Sequence, residues 1–321
     1  MFGSIKRLSF RHKNSKPLYY VLSYIRQLLP SSIFQHKLET TLSSICQFDE
    51  AYIRQRVDYY NKLDAPCQLS SDAVRLLKLR PGKKFKVYFF DAFEYTRYFN
   101  QKWLAHFCFG DVTFVPERPS IVKSRPIAGS NTNSVIIKLV KIRHFLFLKD
   151  RHAFEDKKNI LIGRTKINQP HRARFMEMYF NHPMCDVGGV TKRCKYPQWQ
   201  RPRLTLEEHL KYKFILCLEG YDVASNLKWV MSSNSLAVMP KPTYETWFME
   251  GTLIPDYHYI QIKDDYSDLE EKLNYYIQHT DEALQIIEHA HEYIKPFKNK
   301  KQEDIISLLV LKKYFEKTGQ A

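Results

Sequence analysis

The chain has 321 residues, 44% of them hydrophobic, and carries 50 Lys and Arg against 34 Asp and Glu, a formal charge of +16. That length and apolar content suffice for two domains, each with its own core. The charge favours a polyanion (nucleic acid, an anionic membrane face or a phosphorylated substrate) without choosing among them, and the 21 Tyr and 21 Phe are too dispersed to form a nucleic-acid signature.

No acidic residue precedes Glu39, whereas Lys6, Arg7, Arg11 and Lys13 crowd the start. No apolar stretch with a cleavage site follows them, so no secretory signal is expected. Residues 18–29 (LYYVLSYIRQLL) are too few to span a bilayer and include Arg26. Two readings of this segment stay open. One is an interfacial amphipathic helix held to anionic lipid; the other is a packing helix with a solvated basic face.

Residues 49–63 read as a helix with Asp49 near its cap, and Ser71-Asp72 opens a short one. Arg80-Pro81-Gly82 marks a turn. Residues 86–90 (KVYFF) read as a strand and 92–103 as a helix. The runs 135–140 (VIIKLV) and 144–148 (HFLFL) close an N-terminal domain of residues 1–150. In the second domain, residues 151–321, a strand at 160–162 leads into Gly163-Arg164-Thr165. Pro170 suits a helix start, and Arg172 in its first turn sets guanidinium donors beside free backbone N–H groups, a combination suited to a diphosphate. Thr205 and Glu208 have capping-box spacing. Residues 268–279, 282–293 and 301–315 are helical in pattern.

The most informative stretch is 211–269. Residues 214–218 and 235–239 are short apolar runs, 223–232 suit a helix, and 257–262 suit a further strand. Strand, turn, helix, strand is the unit of a parallel α/β sheet, in which ligands bind beyond the strand ends. The six cysteines contain no Cys-x-x-Cys pair and no zinc spacing with His, which fits a reducing compartment with no disulfide required.

The motifs EGxDxASNLKWxxxSNSL, YExWF and HYIxIxxDxSDL, in that order, resemble glycosyltransferase family 90, nearest its bacterial lipopolysaccharide branch. The resemblance covers roughly residues 107–269. It implies an α/β, GT-B-like fold: two Rossmann-like domains with a cleft between them and C-terminal helices. It also implies an inverting transfer of a hexose from a UDP-sugar to a lipopolysaccharide core sugar, with no cofactor and no bound metal. Val112, Val115, Glu117 and Pro119 fall on the family's base-bearing pattern, which makes Glu117 the candidate base; Asp111 in FGDVT is its rival. On the donor side the resemblance carries over Gly163, Arg164, Arg172, Gly220, Ser225, Asn226 and Lys228. Asn226 replaces an Arg of the eukaryotic pattern. Glu245 is the candidate for a ribose or sugar hydroxyl, because a carboxylate accepts two hydrogen bonds. Trp229 and Trp247 are assigned to the core. The implied partners are the UDP-sugar, the lipopolysaccharide core and an anionic membrane surface, not nucleic acid. The implied location is cytoplasmic, peripheral on the inner face of the bacterial inner membrane. The alternative reading is a basic non-catalytic module that binds nucleic acid or anionic lipid.

Overall fold

The computed structural model describes residues 14–191 and 195–321. The basic residues Lys6, Arg7, Arg11 and Lys13, and Cys194, lie outside them. In chain order the elements used below are α1 (Lys16–Leu28), α2 (Glu50–Tyr60), α3 (Lys86–Thr96), β1 (Phe107–Cys108), β2 (Ser120–Val122), β3 (Ser124–Pro126) and β4 (Ser134–Ile136). They continue with β5 (Lys158–Thr165), α4 (Pro170–Tyr179), β6 (Cys185–Gly189), α5 (Leu206–His209), β7 (Tyr212–Leu216), α6 (Leu227–Val230) and β8 (Leu236–Met239). The last are β9 (Tyr244–Thr246), β10 (Ile260–Gln261), α7 (Leu269–Gln278), α8 (Thr280–Lys298) and α9 (Lys300–Lys317).

The chain groups into two compact units. A helical unit comprises Ser15–Arg143, Thr243–Gly251 and Pro296–Ala321, and a sheet unit includes His144–Pro242 and Thr252–Lys295. A single cut at residue 150 does not describe this grouping, because two late segments return to the helical unit. Buried chemistry explains the return. Trp247 stacks on Tyr60 with ring centroids 4.0 Å apart. Its Nε1 donates to Glu303 on α9 at 2.6 Å, and Glu303 also pairs with Arg56 (2.5 Å) and Lys138 (2.8 Å).

The sheet unit is a five-stranded parallel sheet in the order β10-β8-β7-β5-β6. Its first strand in sequence, β5, sits between its second, β6, and its third, β7. Such an arrangement has a switch point where the chain passes from one side of β5 to the other. Leu161, Val187, Phe214, Leu236, Val238 and Ile260 from the strands pack with Phe175 and Met176 of α4, Leu273 of α7 and Ile286 of α8. A parallel strand covered on both faces reads as a continuous apolar run, which is why β7 and β8 were legible within two residues. Pro170 occupies the first turn of α4, and the Thr205/Glu208 capping box forms as expected.

The helical unit holds a three-stranded parallel sheet, β1-β2-β4, and the antiparallel pair β3-β9. The strands of the parallel sheet are joined by loops without helices, so this sheet departs from the expected Rossmann pattern. Asp49 caps α2 by accepting from the Tyr52 N–H at 3.0 Å.

Four local expectations change. Residues 86–90 are helical, as the start of α3. Phe89, Phe90, Asp91 and Ala92 are all buried there, so no polar face marks the helical period. Residues 71–72 form a turn, and the helix expected over 92–103 ends at Thr96. The helix expected over 223–232 shrinks to α6, because Ser232 and Ser233 donate their hydroxyls back to the carbonyls of Trp229 (2.8 Å) and Val230 (2.6 Å) and end it. Trp247 and Trp229 are core residues, as read from the sequence. The described cysteines Cys46, Cys67, Cys108, Cys185 and Cys217 are free thiols.

Candidate active site

In the sheet unit, the ends of β5 and β7 and the start of α4 meet at the switch point. Arg172 joins them. Its Nε donates to the Glu219 carbonyl at 2.7 Å, Nη2 to Leu218 at 2.8 Å and Nη1 to Lys166 at 3.0 Å. His171 Nε2 shares the Glu219 carbonyl at 2.9 Å. All three acceptors of Arg172 are neutral carbonyls, and it forms no ion pair among the described residues. Burial lowers the guanidinium to about 10 against partial compensation by Tyr266 and Glu219, so it stays cationic at neutral pH. Gly220 lies against this guanidinium: a Cβ there would sit 3.6 Å from Arg172 Nη2.

Beside it, the loop after β5 and the start of α4 border a pocket of about 330 Å³, lined among others by Lys166, Asn168, Gln169, Pro170, Thr191 and Lys195. Gln169, at the N-cap of α4, makes no side-chain cap hydrogen bond, and the first turn contains no acid. The positive end of a helix dipole and two lysines thus face one cavity. Sequence reading singled out Arg172 and Pro170 but not the rest of this lining.

The other donor-side residues divide. Ser225 is exposed, and Asn226 donates to the Leu216 carbonyl at 2.9 Å. Gly163 is a packing glycine: a Cβ would come within 3.1 Å of Leu216 and 3.3 Å of Val187. Arg164 is committed elsewhere. Its guanidinium pairs with Asp186 (2.7 Å) and donates to the carbonyls of Asp186, Gly163 and Pro202. It therefore braces β5 against β6 and does not present an open cation. Lys228 is fully buried, near Cys217, whose thiol burial pushes up. Glu245 is also relocated. It lies on β9 in the helical unit, where Arg125 Nε donates to its Oε1 at 2.8 Å and the Tyr59 hydroxyl donates to its Oε2. With both oxygens engaged and 2% exposure, it is a buried ion-pair partner and not an open sugar contact.

The two base candidates lie in the helical unit, on the segment between β1 and β2. Gly110 has φ of +129°, a conformation that needs glycine, and it delivers the chain to Asp111. Lys123 forms an ion pair with Asp111 Oδ1, and the Tyr88 hydroxyl donates to the same oxygen at 3.2 Å. No hydrogen bond to Oδ2 is present among the described residues. Desolvation pushes the Asp111 carboxyl up, but the Lys123 ammonium, with Arg143 and Tyr88, more than offsets it and holds the group below the ordinary Asp range. Ser124 fixes the neighbouring backbone by bonding Val112 through both its N–H and its carbonyl at 3.0 Å. Glu117 is exposed, and its carbonyl is bonded by Asn133 Nδ2 at 2.9 Å. Among the described residues no group of three or more His, Cys, Asp or Glu is placed to hold a metal ion.

Residues 148–315 match the family model Glycosyl transferase family 90. The chain is 43% identical over 267 residues to the O-glucosyltransferase LpsA of Dichelobacter nodosus, with 83% of each chain covered. It is also 31% identical over 118 residues to the uncharacterized protein 027R of Frog virus 3, a stretch covering 36% of this chain and 12% of that one.

Proposed function

Because the chain belongs to glycosyl transferase family 90 and is a glycosyltransferase, we propose that it moves a hexose from a UDP-sugar to a sugar of the lipopolysaccharide core, with inversion at the anomeric carbon. The O-glucosyltransferase name of the Dichelobacter relative makes glucose the first choice of hexose. In this reading the sheet unit takes the donor and the helical unit takes the acceptor, in a GT-B-like division of labour. The chemistry runs on the inner face of the inner membrane.

The supporting observation is the Arg172 guanidinium at the switch point, held by three carbonyls and engaged in no ion pair among the described residues. A departing diphosphate gathers negative charge as the glycosidic C–O bond breaks. A fixed cation and the N-terminus of α4 would offset that charge in place, without a metal. On the acceptor side a carboxylate takes the hydroxyl proton as the oxygen attacks the anomeric carbon from the face opposite the diphosphate. We assign this role to Asp111 ahead of Glu117. Lys123 and Tyr88 orient Asp111 through Oδ1 and leave Oδ2 to accept the proton, whereas only the backbone carbonyl of Glu117 is bonded among the described residues.

Thermal shift separates this reading from a basic binding module. UDP is expected to raise the melting temperature in EDTA, and Arg172→Ala is expected to abolish that rise. Stabilisation by an oligonucleotide with no response to UDP would overturn the proposal.

A further inference from the structure

Helix α1 is amphipathic in an unusual sense: its packed face carries its polar anchors, and its outward face is apolar. Ser15 caps it through the Leu18 N–H. The inward face is tied to α3. Tyr19 donates to Asp91 at 2.8 Å and to the Val87 carbonyl at 3.4 Å, and Arg26 pairs with Glu94 at 3.1 Å. Tyr20 and Tyr24 set their edges against Phe90. The opposite stripe is Leu18, Val21, Leu22, Ile25 and Leu28, at helical spacings of three and four residues, and exposed Leu29 follows at the C-cap. It is open to solvent, with Leu28 83%, Leu18 56% and Ile25 48% exposed. A contiguous exposed apolar stripe is the mark of an interaction surface.

Charge indicates what covers it. No acid occurs between residue 1 and Glu39. Asp91 and Glu94 face inward, and Lys141 joins Tyr19 and Arg26 in offsetting them. At the end of the packed pair where Tyr19 meets Val87, the chain presents Lys83, Lys84 and Lys86 with Phe85 among them, all exposed. An apolar stripe flanked by lysines and free of acids matches the headgroup boundary of an anionic bilayer, where apolar side chains enter the acyl edge and ammonium groups meet phosphate.

We propose that the outward face of α1, with the lysines at 83, 84 and 86, docks the helical unit on an anionic lipid bilayer. The inference rests on the proposed function only for its benefit: docking would bring the enzyme to a lipid-anchored acceptor and raise its local concentration. It also sharpens the electrostatic picture of the sequence, because insertion of leucines resists salt whereas lysine attachment does not.

The test is flotation of the full-length protein with phosphatidylglycerol-containing vesicles and with pure phosphatidylcholine vesicles. The wild type is expected to float with the first, to float at least tenfold less with the second, and to keep part of its binding in 1 M salt. Leu22→Glu/Ile25→Glu is expected to lose binding at all salt concentrations while keeping its melting temperature, because both side chains are exposed. Lys83→Glu/Lys84→Glu/Lys86→Glu is expected to lose the phosphatidylglycerol preference. Leu22→Trp should shift its emission to the blue only with anionic vesicles. Wild-type flotation by Leu22→Glu/Ile25→Glu, or no flotation of the wild type, would overturn the proposal. So would a concentration-dependent dimer that this double variant dissociates, since the occupant would then be a second copy of the chain. Transfer onto a soluble truncated acceptor is read in parallel and should survive the double change. If the wild type floats but transfers nothing, the chemical assignment fails and the docking surface stands.

Discussion

The Arg172 guanidinium donates to the Glu219 carbonyl at 2.7 Å, which fastens the first turn of α4 to the loop leaving β7. This one contact spans the switch point of the parallel sheet and fixes where a positive charge stands at its mouth. Arg172→Ala is expected to weaken UDP binding ~10–100-fold, the loss typical of a charge-assisted hydrogen bond. It should also lower stability by about 1–3 kcal/mol, because the carbonyls lose their donor. Arg172→Lys retains the charge but cannot reach three carbonyls at once, so it should recover only part of the affinity. Isothermal titration with UDP and urea unfolding measure the two effects. Full affinity in Arg172→Lys would reduce the role of Arg172 to charge alone.

Asp111→Asn is expected to lower turnover ~10²–10⁴-fold with UDP affinity nearly intact. Glu117→Gln should cost less. A dead, folded Glu117→Gln enzyme beside an active Asp111→Asn would move the base to Glu117. Loss of UDP binding in either variant would place this segment on the donor side.

The Lys123–Asp111 pair sets the acid limb of the rate profile. Lys123 holds the Asp111 carboxyl below its ordinary range, so the base stays ionised until the pH falls below that range. By the same linkage the pair contributes stability above the ordinary Asp pKa and loses it as pH falls through the depressed one. Lys123→Met should move the acid limb of kcat/KM to higher pH. An unmoved limb would show that the titrating group is not Asp111.

His258 supplies a second pH signature, in the sheet unit. Burial, and then the charge of His289, lowers it to about 4, and its Nδ1 accepts the Ile254 N–H at 2.9 Å. The neutral ring is favoured in the fold, so its contribution is complete above about 6.5, the unfolded value, and is lost as pH falls towards 4. Melting temperatures of His258→Gln should fall less steeply across that window than those of the wild type. Parallel curves would contradict the assignment.

Glu303 is buried between Arg56 and Lys138 and bonded by Trp247. Removing one partner of such a group strands the others, so Glu303→Gln should cost about 3–5 kcal/mol in urea unfolding. A change below 1 kcal/mol would mean that the two cations find other partners.

The sheet unit was legible because its strands are short apolar runs bounded by turn residues, and Pro170 and the Thr205/Glu208 box announce their helices. The helical unit was less so. Residues 89–92 present buried groups on successive positions, which erases the difference between a strand and a helix. Glu245 and Arg125 stand 120 residues apart in sequence and meet only through the β3–β9 register, so nothing local warned that the carboxylate was occupied. Arg164 and Arg172 look alike as residues after a strand. The position of Asp186 on the adjacent strand makes the first a brace, while the second bonds only backbone carbonyls.

The most direct test of the assignment is mass spectrometry of truncated lipooligosaccharide after incubation with the full-length chain, EDTA and single UDP-hexoses. The account predicts a gain of one hexose per acceptor with equimolar release of UDP, fastest with UDP-glucose. An acceptor left unchanged by every UDP-hexose, or changed only when manganese is restored, would contradict it.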